Sequence, residues 1–310
     1  MPAEALGIGH ACLDRISVLD GFPDENASMH IQSYEEQPGG TAANALAALA
    51  GLGVRTAYLS PLGDDDIGRE VSVSLRKAGI DLSLSAVEHG TVTHFTNVIV
   101  NRVKQTRTFC SWHGRFQPIA WDEARRLALK QARVIHLDNT CPQDAIAAAR
   151  LAREAGTAVS LDGSSLSGDR SQDWELASCS DVLICSESFP QRLTGLATME
   201  ALQKIQRELH PQVLIMTMGE RGCIQLGEQR MIRYPVFQTE ITDTVGAGDA
   251  FHGGYLYGWL RGLPAAEAVR IASAVAAMSL QAAGGRAGLP DLPALERFLS
   301  DHEWGAAETL

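Results

Sequence analysis

Asp249 closes the run Asp243-Thr244-Val245-Gly246-Ala247-Gly248-Asp249, just where an apolar helical stretch begins. Gly246, Ala247 and Gly248 leave their backbone N–H groups uncovered. A helix starting there points its positive end at the same spot, so the turn can hold an anion such as a phosphoryl group. A carboxylate beside an anion hole repels the phosphate it flanks. That is tolerable where Asp249 faces an incoming hydroxyl and takes its proton while the N–H groups hold the group in flight. The same residues also read as a plain helix start with Asp in its first turn. A second small-residue helix start, Gly39-Gly40-Thr41-Ala42-Ala43-Asn44, allows close backbone approach at the glycines and offers an amide that both donates and accepts.

The elements that must carry these groups follow from the apolar pattern. Runs of strand length fall at 5–9, 56–60, 134–137, 158–161, 182–185 and 213–218, and helical patterns at 42–52, 68–78, 122–131, 143–155 and 199–208. That alternation predicts an α/β fold with a largely parallel sheet and helices on both faces, whose ligands gather at the C-terminal strand ends. The last third turns helical at 248–261, 265–283 and 293–300, and 301–310 reads as a frayed tail. Strand patterns at 30–34, 93–100 and 107–110 break the rhythm; they read either as edge hairpins or as a separate small β-unit.

With 310 residues, 45% of them hydrophobic and 20% charged, the chain can bury one large core. The net charge of −11 argues against a nucleic-acid backbone or an anionic membrane as main partner. No apolar run of about 18 residues occurs, and Met1-Pro2-Ala3-Glu4 lacks a basic leader, so the expected location is cytoplasmic. Cys12, Cys110, Cys141, Cys179, Cys185 and Cys223 form no Cys-x-x-Cys pair and read as reduced thiols. His10 and Cys12 read as strand residues rather than zinc ligands, because no second ligand pair follows. Asp64-Asp65-Asp66 reads as a solvated helix start, since three consecutive acids cannot all face one ion.

Asp243 to Asp249, taken with Gly39-Gly40 and Asn44, resembles the paired signatures of the ribokinase-type (PfkB) carbohydrate kinases. The likeness runs from Gly7-Ile8-Gly9 and Asp14 through Gly63-Asp64-Asp65-Asp66-Ile67-Gly68 to Gly284-Gly285-Arg286-Ala287-Gly288. That last segment is nearest to the sulfofructose-kinase and ketohexokinase-like branch. The resemblance implies one ribokinase-like α/β domain over 1–300, with a small β-lid from about 27–38 and 92–112 that covers a sugar and in this family often forms a homodimer interface. It implies ATP-dependent transfer of the γ-phosphoryl group to a primary hydroxyl of a small sugar. The rival readings are a nucleoside kinase of the same fold and a non-catalytic binder of sugar or nucleotide.

In that family pattern Asp249 is the base and Gly246, Ala247 and Gly248 the anion hole. Asp14, just after the first strand, joins Gly39, Gly40 and Asn44 on the sugar. Asp138, at the end of a strand, falls either near the phosphates or as a simple cap. Thr217, Gly219 and Gly222 resemble a nucleotide loop, working with Gly246 and Gly248, with Arg221 adding charge. Ala274, with Ala277 and Met278, reads as an adenine wall or as plain helix packing. Asp243, the Val245 carbonyl and the turn to Gly288 resemble a monovalent-cation site that would take K⁺. Mg²⁺ is implied, yet Ser186-Glu187-Ser188-Phe189 stands where many relatives have Asn-x-x-Glu, which leaves Glu187 as a substitute ligand. Thr41 stands where kinases of ribose or phosphosugars often have Lys, arguing against an already phosphorylated acceptor. Arg102, Lys104, Arg107 and Arg115 could meet an anionic sugar or form a solvated edge.

Overall fold

The computed structural model describes residues 1–104, 106–227 and 230–310. The chain begins β1 (Ala5–Ile8), β2 (Cys12–Leu19), β3 (Ser33–Gly39), α1 (Thr41–Gly51), β4 (Thr56–Tyr58), β5 (Leu62–Gly63), α2 (Asp66–Lys77) and β6 (Val87–Glu88). It continues through β7 (Phe95–Asn101), β8 (Thr106–Trp112), α3 (Glu123–Gln131), β9 (Val134–Leu137), α4 (Pro142–Ala155), β10 (Ala158–Gly163) and α5 (Arg170–Ser178). Then come β11 (Val182–Ser186), α6 (Ser188–Thr194), α7 (Thr198–Leu209), β12 (Val213–Thr217), β13 (Cys223–Leu226) and β14 (Met231–Tyr234). The last elements are α8 (Ala247–Leu260), α9 (Ala265–Ser279), α10 (Leu292–Asp301) and β15 (Glu308–Thr309).

Nine strands form the main sheet in the order β15-β14-β13-β12-β11-β10-β9-β1-β4. From β4 to β12 they run parallel, while β13, β14 and β15 add antiparallel. Strand side chains alternate between faces, so a sheet covered on both sides needs continuous apolar runs. Val134, Val182, Ile184, Val213 and Ile215 accordingly enter the core on one face, packed with α1 and α8. Ile135, Leu137, Leu183, Cys185, Leu214 and Met216 enter the core on the other, under α4 and α7.

A separate four-stranded sheet, in the order β3-β2-β7-β8, stands off the C-terminal end of β1. It resolves the choice left by the sequence in favour of a small β-unit, and adds β2, a strand the apolar pattern did not reveal. The strand expected at 30–34 lies instead at Ser33–Gly39, and α9 ends at Ser279 rather than near 283.

Residues 301–310 are not a frayed tail. Trp304 stacks on Tyr234 with ring centroids 5.6 Å apart, and its indole N–H donates to the Pro235 carbonyl at 3.0 Å. Beyond it β15 pairs with β14. An aromatic residue with an apolar floor and a hydrogen-bond partner docks the chain end.

Candidate active site

Helices α1 and α8 lie close because α8 carries glycines where it crosses its neighbours. A Cβ on Gly253 would come within 2.4 Å of Ala48 Cβ, and one on Gly258 within 2.8 Å of Ala268 on α9. This side-by-side packing brings two helix N-termini to one place above the parallel strand ends. Asn44, in the first turn of α1, donates from Nδ2 to Asp249 Oδ2 in the first turn of α8 at 2.7 Å.

The turn before α8 is held open by backbone geometry. Gly246 is the residue ahead of the helix, at φ 75°, and no side chain caps the N–H groups that follow. First-turn N–H groups have no partner inside a helix, so these donors are free for an anion. A Cβ at Gly246 would sit 2.6 Å from Gly285 Cα, whereas Gly248 faces open space. Gly246 is therefore fixed by a close approach, and Gly248 leaves room for a ligand. Ala247 sits between them, half-buried, as the first residue of α8.

Arg286 is the functional residue that motif reading missed. Its Nε donates to Asn44 Oδ1 at 2.8 Å, one Nη to Ser74 Oγ at 2.8 Å and the other to the Gly39 carbonyl at 2.9 Å. The first bond settles which way the Asn44 amide points, so that its NH₂ must face Asp249. Burial lowers the Arg286 pKa to about 10, which still leaves the guanidinium charged at neutral pH. The signal available in the sequence was an Arg inside a run of four small residues, Gly284 to Gly288, where a bulky charge needs a reason.

Burial pushes the Asp249 carboxyl well above the usual carboxylate range, and the neighbouring Asp162 raises it further. The Asn44 N–H and the Arg286 charge pull the other way. The result is a stronger base than a solvated aspartate. Beneath it lies a buried pair, His252 Nε2 with Asp162 Oδ2 at 3.1 Å. Burial raises Asp162 to about 6 and lowers His252 to about 3, so at neutral pH the pair is a carboxylate beside a neutral imidazole.

Asp14 lies within β2, the strand that follows β1, opposite Gln37 on β3 and Thr96 on β7. Burial raises its pKa, while hydrogen bonds from Cys12 and Thr96 and the Arg286 charge oppose the rise. A Cβ at Gly39 would meet Asp14 Oδ2 at 2.3 Å, so this glycine is needed for the carboxylate to face inward. Gly40 has φ 104° and its Cβ would meet the His10 carbonyl at 2.4 Å. Asp14, Gly39, Gly40, Asn44, Arg286 and Asp249 thus come from four stretches of chain and converge. Gln37, beside the Gly284 turn, has a buried amide oxygen without a partner and belongs to the same rim.

Other expected residues fall elsewhere or are already engaged. Asp138 is a structural hub: Oδ2 accepts from His10 N at 2.6 Å and Ala42 N at 3.1 Å, and Oδ1 from Thr140 N at 2.9 Å. Thr217, Gly219 and Gly222 lie at the end of β12 in a tight loop, where Gly222 at φ 81° fits only without a Cβ, 1.9 Å from the Tyr234 carbonyl. Ala274 has no exposed surface and packs in the core with Ala250 and Ile271, so it has no face for a base and leaves the candidate nucleotide set. Met278 is half-buried and packs against the same cluster.

The metal candidates fit unevenly. Glu187 is ion-paired with Arg221 at 2.5 Å, and so is not an uncommitted Mg²⁺ ligand. Asp243, Val245 and the turn to Gly288 supply oxygen donors that suit a hard monovalent cation. The Asp243 carboxylate is held by Arg107 Nη2 at 2.7 Å, Val245 N at 3.1 Å and Gly284 N at 3.0 Å. Burial alone would raise its pKa, but these donors outweigh it and leave it below the usual value. Arg107 therefore occupies one of the oxygens a cation would use.

The model for pfkB family carbohydrate kinases matches residues 3–292. The chain belongs to that family. A nucleoside kinase from Methanothermobacter thermautotrophicus is 29% identical over 307 residues, covering 97% of each chain. An ATP-dependent ribose-1-phosphate kinase from Halopiger xanaduensis is 29% identical, covering 96% of this chain and 98% of its own. The Arabidopsis thaliana ribokinase solved with ribose and ATP superposes with a TM-score of 0.86 over 96% of this chain and 99% of its own, at 21% identity. This pfkB protein therefore has the ribokinase-like α/β fold and is a sugar or nucleoside kinase, a phosphotransferase. No helix among the described residues is long and apolar enough to cross a membrane.

Proposed function

We propose that the protein transfers the γ-phosphoryl group of ATP to a primary hydroxyl of a small sugar or sugar derivative. The observation that carries this reading is the contact between Asn44 Nδ2 and Asp249 Oδ2 at 2.7 Å, at the mouth of an uncapped helix. Asp14, Asn44 and the glycine backbone would bind and orient the acceptor hydroxyls. Asp249 would take the proton of the attacking hydroxyl. The N–H groups of Gly246, Ala247 and Gly248 would hold the phosphoryl group in flight, where charge develops.

Mg²⁺ would enter with the nucleotide, because Glu187 is paired with Arg221 and Asp138 is saturated by N–H donors. When bound it neutralises phosphate charge. K⁺ would be held by Asp243, the Val245 carbonyl and the turn to Gly288. The loop of Thr217, Gly219 and Gly222 would support the nucleotide. The small sheet of β3, β2, β7 and β8 would act as a lid over the sugar and keep water from the reaction; its exposed outer face would be the surface for a homodimer.

A nucleoside acceptor is the second reading, supported by the likeness to the Methanothermobacter nucleoside kinase. The test is ADP release from Mg-ATP with K⁺ present, across pentoses, ketohexoses, their phosphates, sulfonated sugars and nucleosides. Turnover confined to free sugars supports the first reading, and turnover with adenosine or inosine the second. Binding without turnover for every acceptor would replace both with a non-catalytic binder.

A further inference from the structure

Three histidines meet where the small sheet joins the main one. His10 lies between β1 and β2, His94 directly before β7 and His113 directly after β8, so each sits on a different passage between the two sheets. One nitrogen from each lies within 4.8 Å of the other two. Their ring centroids are 5.0, 5.7 and 5.9 Å apart, and Phe116 packs against His94 at 5.1 Å. His10 Nε2 is buried without any hydrogen-bond partner. Burial, reinforced by neighbouring histidines, keeps His10 and His94 neutral at pH 7. Three imidazoles, one with a buried nitrogen that has no partner, and no carboxylate among them make a borderline ligand set.

We propose that His10, His94 and His113 form a binding site for a divalent transition-metal ion of the Zn²⁺ class. The ion joins three of the passages between the sheets and holds the small sheet against the main one. Tetrahedral zinc with Zn–N bonds of about 2.0–2.1 Å sets its ligand nitrogens roughly 3.3 Å apart, so nitrogens now within 4.8 Å of one another close by at most about 1.5 Å on binding. His113 is exposed and is the ligand able to move. Its neighbour Gly114 N donates to His94 Nδ1 at 3.0 Å, leaving His94 Nε2 for the metal. Binding there places the ring proton on Nδ1, so the Gly114 N–H turns away as His113 comes in. Adjacent sequence pairs His10 with Cys12; the fold directs the Cys12 thiol to Asp14 instead.

The site needs no particular acceptor sugar, and its test does not read catalysis. The nucleotide-free full-length protein is titrated with Zn²⁺ against a chromophoric chelator, with Mg²⁺ in excess because Mg²⁺ prefers oxygen ligands. Thermal unfolding is followed in parallel, since an ion bound only to the native state raises Tm. The wild type should bind one equivalent and gain Tm. His113→Ala, at an exposed position that leaves the core intact, should lose at least ~10-fold in affinity. His94→Gln should do the same, and His89→Ala, an exposed histidine paired with Asp64 and outside the cluster, should match the wild type. Absence of Zn²⁺ binding by the wild type, or undiminished binding by His113→Ala, would overturn the proposal.

Discussion

Replacing Arg286 with Gln tests whether the base is set by a relay that runs Arg286 to Asn44 to Asp249. The substitution removes the charged donor from Asn44 Oδ1 and from the Ser74 and Gly39 oxygens. Asn44 is then free to flip its amide, and Asp249 Oδ2 loses a fixed donor. A hydrogen bond involving a charged group is worth about 1.5–3 kcal/mol. At roughly 1.4 kcal/mol per factor of ten, kcat should fall by roughly 10–100-fold. The pH profile supplies the readout a merely structural role would not move. Arg286 holds the Asp249 pKa down against burial, so its loss should carry the acid limb of kcat/KM to higher pH. Arg286→Lys keeps the charge but not the planar fork, and should resemble Gln in kcat while moving the limb less. Rates are compared in variants whose Tm shows them folded. A Gln variant within about threefold of wild type, with an unmoved acid limb, would refute the relay.

Three further outcomes follow from the same geometry. Burial depresses His10 and His136 to about 4 and His94 and His252 to about 3, so the unfolded chain binds more protons than the native one below pH 6.5. Asp162, raised to about 6, and Asp249, Asp14 and Asp144, also raised by burial, work in the opposite sense and offset part of this, so urea midpoints should fall as pH drops from 6.5 toward 4 by less than the four histidines alone would give. A flat or rising midpoint over that window would contradict it. Trp304→Ala should destabilise by roughly 2–3 kcal/mol, less than a fully buried tryptophan, and a variant matching wild type in chemical denaturation would mean the chain end contributes nothing. Arg107→Ala should steepen the dependence of rate on K⁺ concentration by freeing an Asp243 oxygen. An unchanged K⁺ titration would show that the two do not compete.

The parallel strands were legible because both faces of the sheet are covered and their apolar runs are continuous. β2 was not, since Cys12-Leu13-Asp14-Arg15 mixes polar and apolar residues on a sheet whose pairing partners lie far along the chain. That is why Asp14 was placed only as following the first strand and not within a second one. The helix starts at Thr41 and Ala247 were legible from their glycines. Arg286 was hidden because its role exists only where α1, α2 and the Gly284 turn meet. The short antiparallel strands β13 to β15 escaped because each spans no more than four residues, too few for a pattern to stand out. Ala274 misled for a related reason: alanine at helical spacing looks alike whether it faces a ligand or a neighbouring helix.

The most direct test of the central claim is kcat for Asp249→Asn on the acceptor with the highest turnover, with nucleotide and acceptor affinities measured by calorimetry on the same preparation. Asn keeps the size of the side chain and the anion hole but cannot take a proton. The account predicts a fall of ~10²–10⁴-fold in kcat with both affinities retained. A variant within a few-fold of wild type would contradict it, and would place the base elsewhere in the site.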